Sequence, residues 1–235
     1  MTNKDIRING AGMTAGGDFR KVIIRGEGSI TTDLKCAEFI CRGSGRAMGQ
    51  MMAENVRVAG QANFHDDVQA KNVRIFGQTE FLRNVQADDF GIWGQAEVQG
   101  NVQAERVRIK GRLTVQGDVE AERFEAIGSF EVNGLLNAGT IQISVKSFGP
   151  SKVKEIGGDE IIVKRRKGLI GLLHSRGILN AETIEGDEIY LEYTKAKTVR
   201  GTNVRLGPGC DIETVEYKTH YHAHEDSVVK KYEKV

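Results

Sequence analysis

His220, His222 and His224 alternate along KTHYHAHED. On an extended chain the three imidazoles share one face, which is the beginning of a metal site. A zinc site also needs a fourth ligand and rigid support, and KTHYHAHEDSVVKKYEKV is polar enough to read as a disordered charged tail, residues 218–235. The three are therefore read as solvated, with no metal assigned. His65 and His174 stand without identifiable triad partners. Cys36, Cys41 and Cys210 have neither zinc spacing nor a disulfide-framework pattern, so Cys36 and Cys41 read as small apolar residues. Nothing here makes a catalytic set or calls for a cofactor, and the chain is read as a non-enzyme.

Binding chemistry is better represented. Arg25, Arg42, Arg57, Arg74, Arg108 and Lys110 recur on one side of a repeated strand, interleaved with Phe76 and Trp93. Such a stripe suits lipid headgroups, an acidic protein or nucleic acid. The plainer alternative is a solvated face whose two aromatics pack beneath another segment. Lys164, Arg165, Arg166 and Lys167 form a second cluster, followed by Leu169, Ile170, Leu172 and Leu173. It can rest on an anionic membrane, with ~1 kcal/mol from each cation near the surface, or open a further stretch of core.

Composition limits these options. The 235 residues carry 33 basic and 32 acidic side chains, a formal net charge of +1, so no nucleic-acid partner is expected. Twenty-nine glycines and two prolines suit short strands joined by tight corners. The first residues, MTNKDIRINGAGMTAGG, carry no secretory apolar run, and no stretch is long and apolar enough to span a bilayer. A reducing, cytoplasmic setting is expected, with peripheral contact at the inner membrane face as an option.

The elements that must position these residues are set by a repeat. Glycine occurs at 26, 43, 60, 77, 94, 111 and 128, always seventeen residues apart. Around each glycine, apolar residues return at fixed offsets, as in Val107/Ile109, Val115 and Val119/Ala121. Inward residues two apart indicate strands, and the gaps between pairs indicate three corners per turn. The glycine corner is expected to need positive φ. One turn cannot bury its own apolar side, whereas stacked turns can. The fold class is therefore all-β: a right-handed parallel β-helix of seventeen-residue, three-strand rungs, about 35 Å long for seven rungs.

The expected organisation is a polar N-terminal segment at 1–16, then the β-helix at 17–145. SKVKEIGGDEIIVKR reads as a hairpin around Gly157-Gly158, making 146–177 a hairpin or loop interruption. Shorter rungs resume over 178–217, and the tail follows. Terminal rungs of such a rod present unpaired backbone groups over an apolar cross-section. Val22, Ile24 and Ile30 at one end, and Leu206, Ile212 and Val215 at the other, are the expected faces of end-to-end self-assembly.

GNVQAERVRIKGRLTVQ and the recurring GxVxAexvxIxG phrase resemble the bactofilins. EGDEIYLEYTKAKTVRG and VRLGPGCDIETVEY resemble the longer Bacillus-type members in particular. The resemblance implies a bacterial cytoskeletal scaffold that polymerises without nucleotide. Its partners would be further copies of itself, a paralogous bactofilin and unidentified client proteins, with roles in cell shape or in flagellar assembly and motility. The family supplies no catalytic residues. The alternatives are a β-helix binding module that does not polymerise, and a left-handed β-helix acyltransferase. The latter's six-residue period is missing from VRGTNVRLGPGCDIE, as is a histidine.

Overall fold

In the computed structural model, Gly26, Gly43, Gly60, Gly77, Gly94 and Gly111 stack one above another, and closeness rather than backbone conformation demands glycine there. A Cβ at Gly60 would lie 2.1 Å from the Gly43 carbonyl oxygen, and one at Gly77 would lie 1.9 Å from that of Gly60. Positive φ is confined to Gly17, Gly149, Gly209 and Tyr193 among the described residues. The expectation of positive φ at this corner is thus corrected: the glycines let successive corners nest.

The structure describes residues 4–145, 149–165 and 177–235. The chain divides into two compact units, Met1–Gly117 and Asp118–Val235. Among the described residues every regular element is a β-strand.

In the first unit, eight-residue strands alternate with four-residue strands. The long ones are β3 (Gly17–Ile24), β5 (Leu34–Cys41), β7 (Met51–Val58), β9 (Val68–Ile75), β11 (Val85–Ile92) and β13 (Val102–Ile109). The short ones are β4 (Glu27–Ile30), β6 (Ser44–Ala47), β8 (Gln61–Phe64), β10 (Gln78–Phe81), β12 (Gln95–Val98) and β14 (Arg112–Val115). Each pairs in parallel with its counterpart one rung away: Val73 faces Phe90, which faces Val107. The third corner is a bend inside the long strand, where the ladder skips Asp88 and resumes at Asp89 without loss of register. Inward columns make the core, with Phe64 stacked on Phe81 at 4.9 Å and Phe39 and Phe90 set edge-on at either side. Outward amides support the stack: the Asp67 carboxylate accepts from the Asn84 backbone N–H, and the Asn84 side-chain oxygen accepts from that of Asn101.

Residues 4–16 of the polar segment are themselves a rung. Its strands β1 (Asp5–Ile8) and β2 (Ala11–Thr14) pair in parallel with β3 and β4. Ile6 and Ile8 are too few apolar residues to signal a strand pair, yet they cover Val22 and Ile24.

The second unit holds β15 (Val119–Ala126), β16 (Ser129–Val145), β17 (Ser151–Arg165), β18 (Leu179–Leu191), β19 (Thr194–Leu206), β20 (Asp211–Ala223) and β21 (Val228–Lys234), each parallel to the next. The expected hairpin is therefore corrected. SKVKEIGGDEIIVKR is the single strand β17, a rung in its own right. Gly158 is a corner: a Cβ there would lie 2.3 Å from the Ala138 carbonyl, and Gly186 stacks on Gly158 at the same distance. A Gly-Gly pair between alternating segments looks locally the same in a hairpin and in a rung corner; only the parallel neighbours distinguish them. The tail expectation is corrected too, because β20 runs on to Ala223 and β21 adds a further strand.

Candidate functional site

The residues expected to form assembly faces are interior. Val22, Ile24, Ile30, Leu206, Ile212 and Val215 are all buried. In the first unit Ile6, Ile8 and Thr14 lie over Val22, Ile24 and Ile30. In the second, Ala223, Val229 and Tyr232 lie over Leu206, Ile212 and Val215. A charge at these six positions would disrupt the core rather than a surface, and the strands that cover them are the exposed ones. Tyr217, Tyr221 and Tyr232 then form an aromatic plate on the last strands, with ring centroids 5.4 and 5.0 Å apart.

The basic-aromatic stripe of the first unit occupies two adjacent outward columns. One runs Ile40, Arg57, Arg74, Gly91, Arg108. The other runs Arg42, Ala59, Phe76, Trp93, Lys110, each joined by its backbone N–H to the rung before. Phe76 and Trp93 stack at 5.1 Å, with the Arg57 guanidinium over Phe76 at 5.0 Å and the Lys110 ammonium over Trp93 at 5.8 Å. The ring faces are thus taken by each other and by the chain's own cations. Arg108 is held by the Asp89 carboxylate at 2.5 Å. Arg25, Arg42, Arg57 and Arg74 are exposed, and among the described residues none has an ion-pair partner.

Of the second basic cluster, Arg166, Lys167, residues 169–173 and His174 lie outside the described residues. Lys164 and Arg165 are engaged within the second unit. The Lys164 ammonium lies 5.3 Å from the centre of the Tyr190 ring, and the Arg165 guanidinium 3.1 Å from that of Tyr193. The Arg165 backbone N–H and the Tyr190 hydroxyl both donate to the Glu192 carboxylate, each at 2.7 Å. Its hydrogen bond to Glu192 pushes the Tyr190 hydroxyl up to about 12. Tyr193 is the one non-glycine residue at positive φ among those described, and Gly209 leaves room for its ring.

A groove of 840 Å³ in the second unit was not legible in the sequence. Glu160, Glu188, Asn203 and His220 line it as one stacked column, and Ile162, Tyr190, Arg205 and His222 as the next. The His220 imidazole meets Asn203 Oδ1 at 3.0 Å, and the Asn203 amide donates to Glu188. His224 turns to Asp226 instead. Among the described residues no three His, Cys, Asp or Glu side chains are placed to hold a metal ion. Cys36, Cys41 and Cys210 are buried free thiols.

The sequence is 61% identical over 216 residues, 91% of each chain, to the uncharacterized protein YhbE of Bacillus subtilis (strain 168). The chain belongs to the YhbE family. Within the family it is also 57% identical over 214 residues to YhbF of the same organism, covering 91% of this chain and 90% of that one. No family model matches the chain, and no solved structure matches it. Among the described residues of this YhbE-family member, the outermost strands, Arg25, Arg42, Arg57 and Arg74, and the groove beside His220 are exposed. No helix among the described residues is long and apolar enough to cross a membrane.

Proposed function

We propose that the chain is a structural subunit that self-assembles end to end into polymers without nucleotide, a cytoplasmic scaffold on which other proteins are placed. One observation carries this reading. Among the described residues the four most exposed large apolar side chains are Met13, Val228, Tyr232 and Val235, 61% to 74% exposed, whereas no other described large apolar side chain exceeds 49%. All four lie on or beside the outermost described strands, β2 and β21. Apolar exposure is thus concentrated where a parallel stack has backbone donors and acceptors left to pair. The resemblance to bactofilins points the same way, and it alone suggests roles in cell shape or motility and co-assembly with a paralogue.

Negative-stain electron microscopy of the purified chain without nucleotide tests this. Filaments or sheets are expected, lost in Met13→Arg and Tyr232→Arg while the circular dichroism stays native. Uniform small particles of the unmodified chain at every protein concentration would overturn it and favour a binding module.

A further inference from the structure

The four unpaired arginines of the first unit form two like-charge pairs. Arg57 and Arg74 face each other across adjacent strands, and Arg25 and Arg42 occupy adjacent rungs of the neighbouring column. Like charges about 4.8 Å apart repel unless a counter-charge lies between them. The second unit carries the opposite pattern. Glu160 faces Glu188 across adjacent strands, with Asp159 and Asp187 beside them, all four exposed. Asp187 accepts from the Thr202 hydroxyl and Glu188 from the Asn203 amide, but among the described residues none of the four carboxylates has a cationic partner.

We propose that the arginine face of the first unit docks side by side against a second copy of this chain, whose Asp159/Glu160/Asp187/Glu188 ridge supplies the counter-charges. Charge complementarity is the first argument, and spacing is the second. Two parallel β-stacks share one rung repeat, so the two carboxylate rungs meet two successive arginine rungs, such as those of Arg57 and Arg74, in step. On an extended acidic peptide, side chains on one face recur every ~6.6–6.8 Å and drift out of step with the rungs. A single-stranded nucleic acid would need open aromatic faces, and those of Phe76 and Trp93 are already covered. Lateral pairing is distinct from end-to-end growth and rests on the self-assembly reading only in that both join copies of the chain.

The test uses the Met13→Arg/Tyr232→Arg chain, so that failure of end-to-end growth cannot hide or mimic the lateral contact. Sedimentation equilibrium should show self-pairing at about 0.1 M salt that weakens at least ~10-fold at about 1 M, where screening falls to a few ångströms. Reversing Arg25, Arg42, Arg57 and Arg74 to Glu, or Asp159, Glu160, Asp187 and Glu188 to Lys, should leave each variant monomeric. Mixing the two variants should restore association, and circular dichroism would confirm that both are folded. Monomers at every salt concentration, pairing that survives either reversal, or a mixture that stays monomeric would each overturn the proposal. Capture of a polyanion or of anionic vesicles by a chain that remains monomeric would overturn it in favour of that partner.

Discussion

The Trp93 indole, just past the end of β11, lies over Gly91 two residues back on that strand, where an added Cβ would meet the ring at 2.5 Å. Gly91 holds the column position that is Arg74 one rung earlier and Arg108 one rung later. Loss of a side chain there is what lets the ring lie down and stack on Phe76. Gly91→Arg should therefore restore the arginine column and lift the indole off the sheet. A red-shifted tryptophan emission and a loss of about 1 kcal/mol are expected, the scale of one aromatic pair. Unchanged emission would mean that the stack does not depend on the glycine.

Corner nesting gives a sharper contrast. Gly77→Ala places a Cβ 1.9 Å from the Gly60 carbonyl oxygen, and the rungs must part to admit it. Gly10, in the first rung, has nothing within 4 Å of the same added atom. Urea unfolding should show a loss of about 3 kcal/mol for Gly77→Ala and under about 0.5 kcal/mol for Gly10→Ala. Equal effects at the two sites would show that backbone entropy, not nesting, governs the corner.

Thr79 breaks its column. It faces Ala62 and Ala96 on the neighbouring short strands, and its buried hydroxyl has no hydrogen-bond partner. Thr79→Val keeps the branched shape and removes the orphaned group, so a gain of about 1 kcal/mol in urea unfolding is expected. A loss would mean that the hydroxyl is satisfied in solution, by water or by rotation.

The rungs were legible because each column repeats itself: Val68, Val85, Val102 and Val119 announce one stacked position without any knowledge of neighbours. Legibility failed where a rung departs from the period. Asp5–Thr14 has too few apolar residues to betray a strand pair, and Val228–Lys234 is mostly charged; both are strands because a formed rung offers them an edge. Gly157-Gly158 failed differently, since a local pattern cannot tell a hairpin from a corner. The missed end strands also made Val22 and Val215 look exposed, whereas each is buried beneath a further strand. The stripe around Trp93 was visible as composition, but which cations are spoken for depends on contacts between rungs.

The cysteines give the last prediction. Burial pushes the Cys36 thiol up to about 12, with a smaller contribution from Glu38, and burial pushes the Cys41 thiol up to about 11. Their ordinary value is 9.0, so between pH 9 and about 11 or 12 the unfolded chain has released protons that the native chain keeps. The unfolded state then binds fewer protons, and stability falls as pH rises through that window. Tyr190 acts in the same direction at higher pH. Urea unfolding should show on the order of 2 kcal/mol less stability at about pH 10.5 than at about pH 8, much of it absent in Cys36→Ala/Cys41→Ala. Near neutral pH the native thiols should resist a maleimide that labels all three after unfolding. Fast labelling of the native chain would mean that the rungs holding Cys36 and Cys41 open readily, and the alkaline loss would then have to come from other groups.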